Sequence, residues 1–171
     1  MIETRESFCA LETRIHPERE VSGAIDRGDH ESIVIRETIG QLALERRWSE
    51  LWEIADSMGR EVSILIDRRD KVFVDVGTAG RVNLNPPEGS EVPFRLWVHT
   101  HPRDAYWSST DRDSLAYYSM LLDEALVLGF DHLKRSVNGL CHPEPLAQEG
   151  PLSRWSSEAV VPYDKWGDCD V

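Results

Sequence analysis

The feature that most constrains this chain is an apolar run, Pro93-Phe94-Arg95-Leu96-Trp97-Val98, that passes without interruption into His99-Thr100-His101-Pro102. A short run this rich in large and β-branched side chains predicts a buried strand that delivers its end to something polar. On extended backbone, residues i and i+2 face the same way, so His99 and His101 can present both imidazoles to one point. Pro102 stops the strand and turns the chain, which lets the polar loop that follows return a carboxylate from the start of the next helix to that point. Two imidazoles, one carboxylate and a fourth position open to water are the donor set of a catalytic zinc site, because structural zinc sites are closed by four protein ligands. Asp111 falls in the first turn of the expected helix and is the candidate carboxylate.

Around this segment the chain reads as α+β. Residues 1–30 mix charges with Pro17, Gly23 and Gly28 and are expected to form an N-terminal surface extension, with Phe8, Leu11 and Ile15 on one side of a short helix. Ser32–Ile35 is short and β-branched. Behind it Ile39, Leu42, Leu44, Trp48, Leu51, Trp52, Ala55 and Met58 recur at helical spacing, and Gly59 is placed to end that helix. Runs at 61–67, 71–77 and 81–85 predict an antiparallel meander. A second helix is expected to carry Leu115, Tyr118, Leu122 and Ala125 on one face and to be capped by Thr110 with Asp113. Strands at 126–130 and 132–137 complete a domain spanning 31–139. Residues 140–171 are expected to be a tail packed on that domain by Trp155 and Trp166.

His99-Thr100-His101-Pro102 followed by Ser108-Ser109-Thr110-Asp111 resembles the His-x-His-Pro, Ser-x-x-Asp signature of the JAMM (JAB/MPN+) zinc metalloproteases of prokaryotic or viral type. The resemblance covers roughly residues 33 to 138. It implies a curved, mostly antiparallel sheet flanked by helices, α/β/α sandwich-like and cytidine-deaminase-like in architecture. It implies that His99, His101 and Asp111 hold Zn2+. Glu61 then occupies the place of the family's glutamate at the start of the strand after the first long helix, where it takes a proton from water and passes it to the leaving amine. Ser108 would hydrogen-bond the developing oxyanion. The loop between His101 and Ser108 is one residue shorter than is usual in the family. Ser109 would restore the length, but Arg112 lies three residues beyond it, whereas Asp111 lies three beyond Ser108. Asp113 remains the alternative ligand and Glu53 the alternative base. The implied reaction is amide hydrolysis by a peptidase or isopeptidase, acting on a polypeptide such as a ubiquitin-like protein, its conjugate or a carrier-protein tail. Two other readings are a metal-free MPN-like scaffold that only binds partners, and a JAB-type relative working in DNA repair.

Composition narrows the choice. A net charge of -12, with Lys71, Lys134 and Lys165 as the only lysines, argues against nucleic acid or an anionic membrane as a partner, since both contacts need clustered cations. No apolar run approaches the ~20 residues that span a bilayer, and the expected location is the cytoplasm. Cys9, Cys141 and Cys169 are odd in number and lack Cys-x-x-Cys spacing, which predicts reduced thiols. A second metal site from Cys141, His142, Cys9 and His16 is a remote alternative. His16, His30, His132 and His142 read most simply as surface or capping histidines, Trp48 and Trp52 as core, and Tyr106 and Trp107 as loop anchors or substrate contacts.

Overall fold

The computed structural model describes residues 9–77, 87–139 and 150–169. Strands β1 (Val62–Ile66), β2 (Val72–Val76), β3 (Leu96–Thr100), β4 (Glu124–Leu128), β5 (His132–Val137) and β6 (Val161–Pro162) form one open sheet in the order β2-β1-β3-β4-β5-β6. Every neighbouring pair is antiparallel except β3 and β4. That one parallel pair follows from the long crossover between them, which carries a helix, because parallel neighbours cannot be joined by a tight turn. Helices α1 (Glu18–Asp26), α2 (Ile33–Leu44), α3 (Trp48–Met58) and α4 (Ser109–Tyr117) complete an α+β fold.

Side-chain alternation divides the sheet into two faces. Val62, Ile64 and Ile66 of β1, with Leu96, Val98, Leu126 and Leu128, pack against α1, α2 and α3. Leu65, Phe73, Trp97 and Ala125 face the other way, onto Leu115 of α4 and onto Leu152 and Trp155 from the C-terminal segment. His99 shares the parity of Trp97 and therefore lies on the α4 side. Ser63 is its register partner on β1.

Several elements differ from the sequence reading. The periodic stretch 39–58 is two helices: Arg46 takes a left-handed backbone (φ 55°) between α2 and α3. The β-branched run Ile33–Ile35 opens α2, because Ile35, Ile39 and Leu42 recur on one helical face and are all buried there. Helix α4 ends at Tyr117, so Leu122 and Ala125 are not on it; Leu122 bridges to Phe94 and Ala125 belongs to β4, yet both reach the same core as Leu115. The segment before residue 30 is more than a surface extension, since Val21 and Ala24 of α1 enter the core and His16 is buried. Trp155 is fully buried and donates its indole N–H to the Leu115 carbonyl at 3.0 Å. The expected strand 81–85, Phe8 and the pair Cys141-His142 lie outside the described residues.

Candidate metal centre

His99 comes from the last turn of extended chain in β3 and is completely buried. Its ring lies against the indole of Trp97 (centroids 4.4 Å, 14° between planes), and Trp97 is held by donating its own N–H to Ser63 Oγ at 3.0 Å. His101 lies just past the strand end. Its N–H donates to the Leu128 carbonyl and its carbonyl accepts the Trp52 indole N–H, each at 2.8 Å. Sheet and α3 together therefore hold the backbone on which the second imidazole turns, and Tyr106 stands edge-on to that ring at 4.7 Å.

Asp111 enters from α4. Ser108 is the N-cap: its Oγ accepts the Asp111 N–H at 3.2 Å, while Asp111 Oδ2 accepts the Ser108 N–H at 2.8 Å and its hydroxyl at 2.7 Å. This reciprocal capping box replaces the expected one between Thr110 and Asp113, and it locks Asp111 in a single direction. Asp113 is exposed and takes no part in the cluster.

The three side chains converge. His99 Nε2 lies 3.2 Å from Asp111 Oδ1 and His101 Nε2 lies 3.3 Å from Asp111 Oδ2; the three ligand atoms lie within 4.8 Å of one another. Donors at the corners of a tetrahedron with metal bonds of ~2.0 to 2.1 Å stand about 3.3 Å apart, so the spacing suits a small cation. A further observation supports that fit: apart from the close approach of Nε2 to Asp111, both ring nitrogens of His99 are buried with no well-formed hydrogen bond among the described residues. An unpartnered buried polar atom costs ~1–3 kcal/mol, and a metal ion would satisfy one of the two. Burial pushes the His99 pKa down, against the opposing pull of Asp111 and Glu61, and keeps the ring neutral. Burial works the other way on Asp111, but His101, His99 and the Ser108 hydroxyl outweigh it and hold the carboxyl well below its ordinary range. A neutral imidazole and an ionised carboxylate are the forms that bind metal. The His99, His101 and Asp111 group could thus hold a metal ion, and it is the one such group among the described residues.

Glu61 immediately precedes β1 and is half-buried. Its charge acts on His99, and it lines a cleft shared with His101 and Trp52. Glu53 is exposed on α3 and does not line that cleft. His16 is bound elsewhere, at 2.6 Å from Glu37.

The positioning of the loop after His101 involves two residues without any local motif. His132 Nε2 accepts the Ala105 N–H at 2.9 Å, while its Nδ1 pairs with Asp131 at 2.7 Å. His132 is thus a loop anchor and not a plain surface histidine. A Cβ on Gly129 would stand 2.7 Å from both Ala105 N and Arg103 O, so the loop rests directly on the β4–β5 turn. Tyr106 and Trp107, which stand against His101 and His99, are carried by this anchored loop. No sequence signal short of the fold connects residues 105 and 132.

Compared with known proteins, the chain matches no family model, no curated protein and no solved structure. No helix among the described residues is long and apolar enough to cross a membrane.

Proposed function

We propose that the protein is a zinc-dependent amide hydrolase, a peptidase or isopeptidase of JAMM type with the corresponding JAB/MPN architecture, acting on a polypeptide in the cytoplasm. The observation that carries this reading is the convergence of two imidazoles and one carboxylate at zinc-like spacing beside a cleft that holds a second carboxylate. Zinc, when bound by His99, His101 and Asp111, supplies a Lewis acid that polarises a carbonyl and makes water more acidic. Hydrolysis joins the water oxygen to the amide carbon and breaks the carbon–nitrogen bond. Glu61 accepts the proton the water loses and delivers it to the departing nitrogen, so one carboxylate serves both halves of the reaction. Ser108 already gives its hydroxyl proton to Asp111; to serve a developing oxyanion it must turn that proton away from the carboxylate. A ubiquitin-like protein or its conjugate is the substrate class in view. The intact donor set weighs against a metal-free scaffold, and the charge of -12 weighs against a DNA-repair role.

The test is Glu61→Gln, which preserves shape but cannot take the proton. Zinc content should stay at one per chain, and cleavage of a fluorogenic peptide or isopeptide should fall at least ~10²-fold. Glu53→Gln should leave cleavage unchanged. Full activity in Glu61→Gln, or loss only in Glu53→Gln, moves the base to α3.

A further inference from the structure

We propose that the cleft between α3 and the end of β3 is a subsite that takes one apolar side chain of the substrate, from a residue flanking the scissile amide. The proposal rests on the hydrolase reading and narrows its substrate class. His101 and Glu61 line the cleft and also belong to the site, so a chain whose amide reaches the metal centre brings its next residue to the cleft mouth. Successive residues of an extended peptide are only ~3.4 Å apart.

The chemistry of the walls selects the side chain. Trp52, Ala55 and Pro102 make the lining largely apolar. Trp52 has given its indole N–H to the His101 carbonyl, and the Thr100 hydroxyl accepts the Val62 N–H at 3.0 Å. Those two polar groups are therefore already engaged within the protein, and Trp52 offers hydrocarbon. Phe130, 65% exposed, stands edge-on to Trp52 with ring centroids 5.4 Å apart and extends that wall outward. Asp56 and Arg60 are the exposed charged residues of the lining.

Size narrows the choice further. The cleft has a volume of about 140 Å³, far too small for a helix, whereas an apolar cavity of ~150 Å³ holds a benzene-sized group. A leucine, methionine or phenylalanine side chain fits; glycine leaves the cleft empty and tryptophan overfills it.

The experiment uses the zinc-loaded full chain and fluorogenic peptides that differ only in the residues flanking the cleaved bond: Gly, Ala, Leu, Phe, Trp or Asp. The expected result is kcat/KM for the Leu and Phe peptides roughly 10- to 200-fold above Gly at one flanking position, the discrimination an apolar pocket can supply. Asp56→Trp fills the cleft mouth from an exposed position of α3. It should reduce the ratio of Leu- to Gly-peptide kcat/KM at least ~10-fold while zinc content stays at one per chain. Equal cleavage of all peptides, a preference for Asp, or an undiminished Leu preference in folded Asp56→Trp overturns the subsite. Should Asp56→Trp not fold, the wild-type profile alone decides. If no peptide is cleaved at full zinc occupancy, the hydrolase reading fails, and calorimetric binding of the same peptides then decides the subsite: tighter binding of Leu than Gly upholds it, equal binding removes it.

Discussion

The two ends of strands β1 and β3 each bury an aspartate, and the company each keeps is different. At one end Asp67, fully buried, accepts main-chain N–H groups from Arg69 (2.8 Å), Lys71 (3.0 Å) and Glu91 (3.0 Å). Burial raises its pKa, but those donors outweigh it and the carboxyl stays below its ordinary value. At the other end Asp111 also keeps its charge, against two imidazoles and a hydroxyl. Burial and a depressed pKa are thus common to both and distinguish nothing. Asp67 spends its oxygens on N–H groups that have nothing to offer a cation. Asp111 faces His99, whose ring nitrogens form no well-aligned hydrogen bond among the described residues. One carboxylate closes a loop, while the other joins donors with lone pairs to spare.

Exchanging the two losses should break the symmetry completely. Asp111→Ala removes one of three ligands and a capping partner, so zinc affinity should fall by more than ~10²-fold while stability of the metal-free protein drops by only about 1 kcal/mol, the worth of a cap. Zinc titration by calorimetry and urea unfolding of the same sample measure both. Zinc at 100 times its Kd should stabilise the native chain by ~2.7 kcal/mol and leave Asp111→Ala unmoved. If Asp111→Ala unfolds and still binds zinc when refolded, the carboxylate is structural like Asp67.

Asp67→Ala should do the reverse. It strands three main-chain donors, some of which water can reach, for a loss of about 2–4 kcal/mol, with zinc affinity of the folded fraction retained. The pH dependence has a defined sign. A carboxyl whose folded pKa is depressed contributes stability at pH above its unfolded value of about 4, and that contribution is lost as pH falls from there through the folded value. Asp67→Asn should therefore be less stable than the native chain at pH 7, and the gap should narrow below pH ~4. A gap that is constant from pH 7 to pH 3 means the Asp67 charge contributes nothing.

Gly129→Ala should give a smaller effect that links loop and site. Its Cβ meets backbone atoms, which cannot swing aside, so the loop at Arg103–Ala105 must shift. Overpacking of this kind costs ~1–3 kcal/mol. The displaced loop carries Tyr106 and Trp107, so zinc affinity should weaken by a few-fold as well, a result expected of orienting residues near a metal. Unchanged affinity at reduced stability would confine the loop to a packing role.

What could be read from the sequence follows from the range of the physics involved. His99 and His101 were legible because side-chain alternation is local, and Ser108 and Asp111 were singled out together only by the resemblance to the Ser-x-x-Asp signature, since the helix-start pattern pointed two residues further on, to Thr110 and Asp113. The break at Arg46 was not, because Glu45-Arg46-Arg47 contains neither Gly nor Pro and the hydrophobic spacing runs on across it. Leu122 and Ala125 fit a helical period yet lie on a bridge and a strand, since the period records burial and not the element that delivers it. His132 and Gly129 act on the loop across a gap in sequence that only the sheet closes.

The smallest expected effect tests the choice between two neighbouring carboxylates. At 3.6 residues per turn, Asp113 is ~200° around α4 from Asp111, so if one points to the histidines the other must point away. The fold agrees: Asp111 is buried and Asp113 is exposed. Asp113 also lies beyond the first turn of α4, where a carboxylate gains from the helix dipole. Asp113→Ala should accordingly change stability by less than ~0.5 kcal/mol and leave both the zinc dissociation constant and peptide hydrolysis at native values. Loss of zinc in Asp113→Ala, with Asp111→Ala still binding it, would mean that α4 turns by about half a revolution when metal enters. The capping box between Ser108 and Asp111 would then have to break, which one-dimensional NMR of the Ser108 and Asp111 amides during zinc titration would reveal as the loss of two protected protons.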